Sequence, residues 1–92
     1  MKFYYPTKVK RENEELFHAV FPDLETCEAT ASSLEDVLER ATDAARNWIE
    51  AELEEDEPHL PPATDPVDML CGPDESVHMI LINIKAWDGW DE

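Results

Sequence analysis

Residues 33–53 are SLEDVLERATDAARNWIEAEL, and this stretch decides the fold. Its apolar residues recur at intervals of three and four, which aligns them along one side of an α-helix. These residues are Leu34, Val37, Leu38, Ala41, Ala44, Ala45, Trp48, Ile49 and Leu53. Alanines in the middle of the stripe allow a sheet to approach closely. The sequence therefore predicts one long amphipathic helix over about residues 34–54.

Both ends of this predicted helix carry local signals. At the start, a serine hydroxyl can accept a hydrogen bond from the backbone N–H three residues later, and either Ser33 with Asp36 or Ser32 with Glu35 fits that pattern. At the end, residues 50–57 contain six acids in eight positions. Because these charges oppose the negative end of the helix dipole, we expect the last turn to fray.

Three alternating segments precede the helix. Apolar and polar residues alternate in residues 2–10, 16–21 and 26–31, which is the pattern of half-buried strands. Polar or turn-forming residues separate these segments and are numerous enough to turn the chain. The sequence therefore predicts a three-stranded meander.

The chain beyond the helix divides into a proline-rich stretch and a final strand. Residues 58–75 contain five prolines, which predicts an extended connection or a loop. Residues 77–85 hold the most apolar run of the chain, and a strand that is apolar on both faces is buried on both faces. We expect the helix to cover one face. A second subunit would cover the other, which makes Val77, Met79 and Leu81 the predicted dimer interface.

The element order is thus β-β-β-α-β, an α+β fold. We expect one domain over residues 1–86 and an acidic, aromatic tail over residues 87–92. A right-handed crossover through the helix would bring the fourth strand in beside the first and parallel to it. The sequence therefore predicts a four-stranded mixed sheet with one long helix packed on one face.

Charge narrows the classes of function. The chain has 92 residues with 23 acids against 7 lysines and arginines, a formal charge of −16. Direct binding to nucleic acid is not expected, because that affinity comes largely from basic side chains on phosphates. The chain has neither the apolar run of a signal peptide nor a stretch long enough to span a membrane. We therefore expect a cytoplasmic protein without membrane contact.

The chain carries a set of short motifs in a fixed order, together with an acidic helix end. The motifs are Tyr5-Pro6, Phe21-Pro22-Asp23-Leu24, Cys27, Ser33-Leu34-Glu35-Asp36-Val37-Leu38, Ala41, Ala44-Ala45 and Trp48. In this order and spacing they are similar to the HicB-like antitoxin domain, over roughly residues 1–64 and with a matching final strand at 77–84. Each motif is common by itself, so the resemblance depends on their order and spacing.

This resemblance implies a partial RNase H-like fold that forms homodimers and serves as the antitoxin of a type II toxin–antitoxin pair. The implied partner is a HicA-like toxin, a small basic protein that cleaves mRNA, whose RNA-binding surface the antitoxin would cover. A charge of −16 suits such a partner, because opposite charge steers association. The alternative is an orphan dimeric binding or adaptor domain with no toxin partner.

Two departures from the family pattern affect these expectations. Glu25-Thr26 stands where the family has Pro-Gly, so we expect a different turn geometry there. Longer members also carry a C-terminal DNA-binding domain, which residues 85–92 are too few to form. The sequence therefore predicts an isolated N-terminal domain of this family.

No catalytic, metal or cofactor pattern accompanies the resemblance. A two-metal nuclease site on an RNase H-like fold needs converging carboxylates, whereas residues 2–10 contain no acid. Cys27 and Cys71 lack a Cys-x-x-Cys spacing, and the three histidines lack the spacing of zinc ligands. We therefore expect reduced thiols, no metal, no cofactor and no enzymatic activity.

The predicted partner contacts lie in a loop and in the tail. The loop joins apolar and acidic residues at the rim of the sheet, and two tail tryptophans between acids are typical of an anchor that docks in a pocket of a basic partner. Alternatively, the loop only ends a strand and the tryptophans pack onto their own sheet or dimer. The predicted contact residues are Phe21, Pro22, Asp23, Leu24, Trp87 and Trp90.

Overall fold

The structure is a computed structural model, and it describes residues 2–84. Four strands and one long helix follow one another in the order β-β-β-α-β, so the predicted α+β class is confirmed. The elements are β1 (Lys2–Asn13), β2 (Leu16–Val20), β3 (Glu28–Ala31), α1 (Leu34–Leu53) and β4 (Glu75–Asn83). Residues 54–74 join α1 to β4, and we call this segment the connector. It includes one turn of 3₁₀ helix, Pro66–Asp68.

The four strands form one sheet in the order β3-β2-β1-β4, and every neighbouring pair is antiparallel. β4 pairs with β1 from Lys2 opposite Asn83 to Lys10 opposite Glu75. The predicted position of β4 beside β1 is therefore correct. Its predicted parallel direction, and with it the mixed sheet, is wrong.

The connector explains the direction of β4. α1 runs back across the sheet to the turn between β2 and β3, where the indole Nε1 of Trp48 donates to the carbonyl oxygen of Glu25 at 2.8 Å. A strand entering directly from there would run parallel to β1. The connector instead takes the chain to the far end of β1. There the backbone N–H of Arg11 donates to the carbonyl oxygen of Asp74 at 2.9 Å.

The two faces of the sheet have different surroundings. One face, the covered face, packs against α1 and forms the core together with Val37, Ala41, Ala45 and Ile49, which follow one another at intervals of four along the helix. Its buried strand residues are Tyr5, Val9, Ala19, Ala31, Ile80 and Ile82. The opposite face, the open face, carries the side chains of Tyr4, Pro6, Lys8, Val77, Met79 and Leu81.

The start of α1 uses one of the two capping patterns that the sequence allows. Ser33 is the N-cap, and its hydroxyl accepts a hydrogen bond from the backbone N–H of Asp36 at 3.1 Å. The last turn contains no basic residue to offset the helix dipole, and the helix ends at Leu53. In the part of the chain that the structure describes, no helix is long and apolar enough to cross a membrane.

Candidate partner-binding surfaces

Two consecutive turns build the loop between β2 and β3, residues 21–27. The backbone N–H of Leu24 donates to the carbonyl oxygen of Phe21 at 3.2 Å, and that of Cys27 donates to the carbonyl oxygen of Leu24 at 3.0 Å. The side chains of Phe21 and Leu24 lie in the core, with exposed fractions of 3% and 0%. Their prediction as partner contacts therefore needs correction. Their apolar side chains are buried beneath the loop, and only Pro22 and Asp23 of this motif lie nearer the surface.

Asp23 fastens the connector to this loop. Its carboxylate accepts a hydrogen bond from the backbone N–H of Thr64 at 2.8 Å and another from the Thr64 hydroxyl. Close by, the Tyr5 hydroxyl donates to the carbonyl oxygen of Pro61 at 2.6 Å. Burial raises the pKa of Tyr5, and the negative charge of Asp23 raises it further. Asp23 therefore has a structural role at this position, because it holds a segment 41 residues away.

The second of the two turns contains an unfavourable backbone conformation. Thr26 has φ of 62°, in the left-handed region that glycine adopts without strain. It occupies the third position of a four-residue turn that begins at Leu24, where a type II turn requires positive φ. The Pro-Gly sequence that the family has at positions 25 and 26 suits the two central positions of such a turn. Thr26 therefore adopts a glycine-like conformation in the turn whose geometry the sequence led us to expect to differ from the family's.

An acidic groove borders the loop at the end of α1. It has a volume of about 300 Å³ and is lined by Asp23, Glu25, Trp48, Glu52, His59 and Pro61. The Glu52 carboxylate accepts a hydrogen bond from the backbone N–H of His59 at 2.9 Å, so one of the acidic groups of the groove is already hydrogen-bonded within the chain. The groove nevertheless joins the loop to the acidic end of the helix.

The outer side of α1 is strongly negative. Its exposed acids are Glu35, Asp36, Glu39, Asp43 and Glu50, and Glu54–Glu57 continue them beyond the helix. Both arginines of the helix are engaged locally. Arg40 Nη1 donates to the carbonyl oxygen of Thr30 at 3.1 Å, and Arg46 Nη1 lies 3.0 Å from Asp43 Oδ1. Most of these acids are therefore left for solvent or a partner.

The open face combines apolar side chains with lysines. Tyr4, Met79 and Leu81 are 55%, 48% and 43% exposed, and Tyr4 lies directly opposite Leu81 across the β1–β4 pair. Val77 is half-buried, opposite Lys8. The three residues predicted for the dimer interface thus share one face of β4. In addition, β4 is an edge strand of the sheet formed by residues 2–84.

A cavity of about 340 Å³ adjoins the open face where the connector passes it. It is lined by Lys8, Val20, Pro22, Thr64, Asp68, Met69 and Leu70. Beside it, Val67 and Leu70 are 83% and 87% exposed. Neither residue was among the predicted contacts, although the sequence offered a signal: three large apolar residues, Val67, Met69 and Leu70, lie close together in an otherwise polar and proline-rich stretch. Trp87 and Trp90, the other predicted contacts, lie outside the described residues.

No metal site is evident in the described part of the chain. Residues 2–84 contain no group of three or more His, Cys, Asp or Glu side chains placed to hold an ion. Cys27 is buried and Cys71 is exposed, and both are free thiols. Burial raises the pKa of the Cys27 thiol, which keeps it in the unreactive protonated form.

Solved structures share this arrangement of strands and helix. The N-terminal domain of Burkholderia pseudomallei antitoxin HicB has a TM-score of 0.76 at 12% identity, with coverage of 89% of this chain and 100% of that one. A toxin–antitoxin complex from Streptococcus pneumoniae has a TM-score of 0.71 at 14% identity, with coverage of 100% of this chain and 79% of that one. A HicA3 and HicB3 toxin–antitoxin complex has a TM-score of 0.62 at 28% identity, with coverage of 90% of this chain and 99% of that one.

A family assignment follows from the sequence itself. A protein-family model described as "HicB_like antitoxin of bacterial toxin-antitoxin system" matches residues 5–86. This range includes every strand and the helix in whole or in large part. No curated protein matches the chain. The fold, the ordered motifs and this match agree with one another. The chain belongs to the HicB-like antitoxin family of bacterial toxin–antitoxin systems.

Proposed function

We propose that this chain neutralises a HicA-like toxin, a small basic protein that cleaves mRNA, by direct protein–protein contact. The observation that carries the proposal is the acidic outer side of α1 together with the acids that follow it. A basic RNA-binding surface is complementary to such a surface, and covering it would keep RNA away. One of the similar solved structures, at 28% identity, is itself a complex of HicA3 and HicB3.

The position of the acids favours one mode of approach. The groove lined by Trp48 and Glu52 connects the acidic helix to the loop at Pro22 and Asp23, so a toxin seated on α1 would meet the loop as well. Pro22 is the exposed member of the loop motif and remains a predicted contact, as do Trp87 and Trp90. In this proposal the chain has no enzymatic step. It acts in the cytoplasm, where mRNA is the toxin's substrate.

A pair of matched charge reversals tests the proposal. Glu39→Lys with Glu50→Lys changes two exposed acids of α1, and Glu14→Lys with Glu15→Lys makes the same change in net charge at the hairpin between β1 and β2. Both pairs leave the core untouched. We expect the helix pair to slow association with a purified HicA-like toxin by about tenfold or more at low salt, and the hairpin pair to have a much smaller effect.

Three readouts complete the experiment: association rate, salt dependence and inhibition of RNA cleavage. The helix pair should show a weaker salt dependence along with its lower rate, because steering acts through long-range charge. Equal rates for the two pairs would refute the placement of the toxin on α1. Failure of the unaltered chain to stop RNA cleavage would refute the antitoxin role of this chain toward that toxin.

The open face supports a second proposal, a homodimer through Val77, Met79 and Leu81. Met79 and Leu81 expose about half of their side chains on an edge strand, and apolar area of this kind is removed from water when two copies meet. The same dimer would serve an orphan adaptor without a toxin. Leu81→Glu should lower the dimer fraction in sedimentation equilibrium, whereas Leu34→Glu, at the helix start, should not. A monomer at high micromolar concentration would refute the dimer.

A further inference from the structure

The open face provides a binding surface with two kinds of chemistry. Tyr4 and Leu81 form an exposed apolar pair, and Met79 extends it along β4. At the other end of this strip lies the cavity of about 340 Å³ beside Lys8 and Met69. Within residues 2–84, Pro6 is the one side chain of this face that is fully buried. The surface is thus an apolar strip that ends in a cavity large enough for an aromatic side chain.

The lysines of the chain are concentrated on this same strip. Lys2, Lys8 and Lys10 alternate with Tyr4 and Pro6 along β1, and therefore point to the open face. Glu75 offsets part of this charge, because its carboxylate lies 3.4 Å from Lys8 Nζ. Asp68 in the cavity lining offsets more of it, so the strip is close to neutral, in contrast to the rest of a chain of net charge −16. An aromatic segment whose acids reach the lysines suits this strip better than a basic toxin does.

A segment of the chain itself has this chemistry. Residues 85–92, KAWDGWDE, contain two tryptophans and three acids. They follow Ile84, next to Asn83, which pairs with Lys2 at one end of the strip. Eight residues extend at most about 26 Å, and the eight steps from Lys2 to Lys10 along β1 cover a similar length. Both the exposed pair and the cavity are therefore within reach of the segment.

We propose that in the free monomer residues 85–92 dock on the open face of their own sheet. Trp87 would lie against Tyr4 and Leu81, and Trp90 would enter the cavity beside Lys8. A buried tryptophan removes a large apolar area from water, and its ring face attracts a lysine ammonium. Because the dimer proposed above uses the same face, the segment competes with a second copy. This last consequence rests on the proposed dimer, whereas the docking itself does not.

Fluorescence of the full chain tests the docking. Trp48→Phe leaves Trp87 and Trp90 as the only tryptophans, and acrylamide quenching then measures their exposure to solvent. We expect low quenching that does not change with protein concentration. Adding Leu81→Glu should raise the quenching constant at least twofold, while adding Leu34→Glu should leave it unchanged. The control is matched, because Leu34 is 38% exposed and Leu81 is 43% exposed.

Each outcome is decisive for a different statement. Full quenching of both tryptophans in every variant would overturn the docking, and shielding that appears only as dimers form would assign the face to a second copy. If Trp48→Phe does not fold, ¹⁹F spectra of the parent chain labelled with 5-fluorotryptophan give the same exposure comparison.

For the competition, Trp87→Ser with Trp90→Ser should dimerise at roughly tenfold lower concentration. An unchanged midpoint or no dimer would overturn the competition and leave the docking standing.

Discussion

The covered and open faces of the sheet are built by the same strands, yet they have opposite properties. Ile82 on β4 is fully buried against the helix, whereas its neighbour Leu81 is 43% exposed. Successive side chains of a strand point to opposite faces, so a single step along the chain separates core from surface. The covered face stabilises the fold. The open face keeps apolar area available for binding.

Charge divides the molecule in the same way. The acids of α1 lie on the side of the helix away from the sheet, while three lysines lie on the open face. A small domain with one core can therefore present one strongly negative surface and one whose lysines nearly balance its acids. This separation explains how a strongly negative chain could attract a basic toxin on one side and an acidic segment or a second copy on the other.

The largest expected effect compares adjacent residues of β4. Ile82→Ala removes a buried side chain and leaves a cavity, and should lower the free energy of unfolding by about 3 kcal/mol. Leu81→Ala removes a half-exposed side chain of the same size on the open face. In a chain that also carries Trp87→Ser and Trp90→Ser, so that the proposed docking of residues 85–92 does not cover Leu81, it should cost less than about 1 kcal/mol at concentrations where the chain is monomeric. Urea denaturation measures both. Equal losses in that background would mean that Leu81 is as deeply buried as Ile82 without the docked tryptophans.

Elements with a strong period were predictable from the sequence. The three- and four-residue spacing from Val37 to Ile49 determines which side of α1 is buried, and the alternation of Tyr5 and Val9 assigns the covered face of β1. Both patterns depend only on local geometry and the removal of apolar groups from water. They needed no information about distant parts of the chain.

Features that depend on the path of the connector were not predictable. Its prolines favour an extended chain but do not set its direction, so the direction of β4 was wrong. The bond between Asp23 and Thr64 joins positions 41 residues apart, and neither residue carries a local signal for it. Phe21 and Leu24 were misassigned for a related reason. An apolar residue in a turn has the same sequence pattern whether the turn exposes it or folds over it.

The second prediction compares two adjacent tyrosines on opposite faces. Tyr5 is buried and donates to Pro61, and its pKa is raised from 10.0 by burial and by Asp23. The folded state therefore holds the Tyr5 proton more tightly than the unfolded state does. The stability that the Tyr5 proton contributes is fully present below pH 10, the ordinary pKa of tyrosine. It is lost as the pH rises through the higher pKa that Tyr5 has in the folded state. We expect the urea midpoint of the parent chain to fall above pH 10.

Tyr5→Phe should remove the Tyr5 component of this alkaline loss. It should also cost about 1 kcal/mol at pH 7, because the partly buried carbonyl of Pro61 loses its donor. Tyr4→Phe is the control, since Tyr4 projects from the open face and is 55% exposed. It should retain the alkaline loss of the parent chain. An alkaline loss of equal size in both variants would contradict the assignment to Tyr5.

The smallest expected effect is a gain in stability at the turn that closes the covered face. Thr26 has φ of 62°, which costs a residue with a side chain about 1–2 kcal/mol, whereas glycine loses about 0.5–1 kcal/mol through its greater freedom when unfolded. Strain relief exceeds the entropy loss, so Thr26→Gly should stabilise the chain by about 0.5–1 kcal/mol. Glu25→Gly is the matched control in the same turn, because Glu25 does not have positive φ and would show only the entropy loss. Opposite signs in urea denaturation would confirm that the turn retains a glycine-like conformation without the glycine. Destabilisation by both variants would show that Thr26 contributes a contact worth more than its strain.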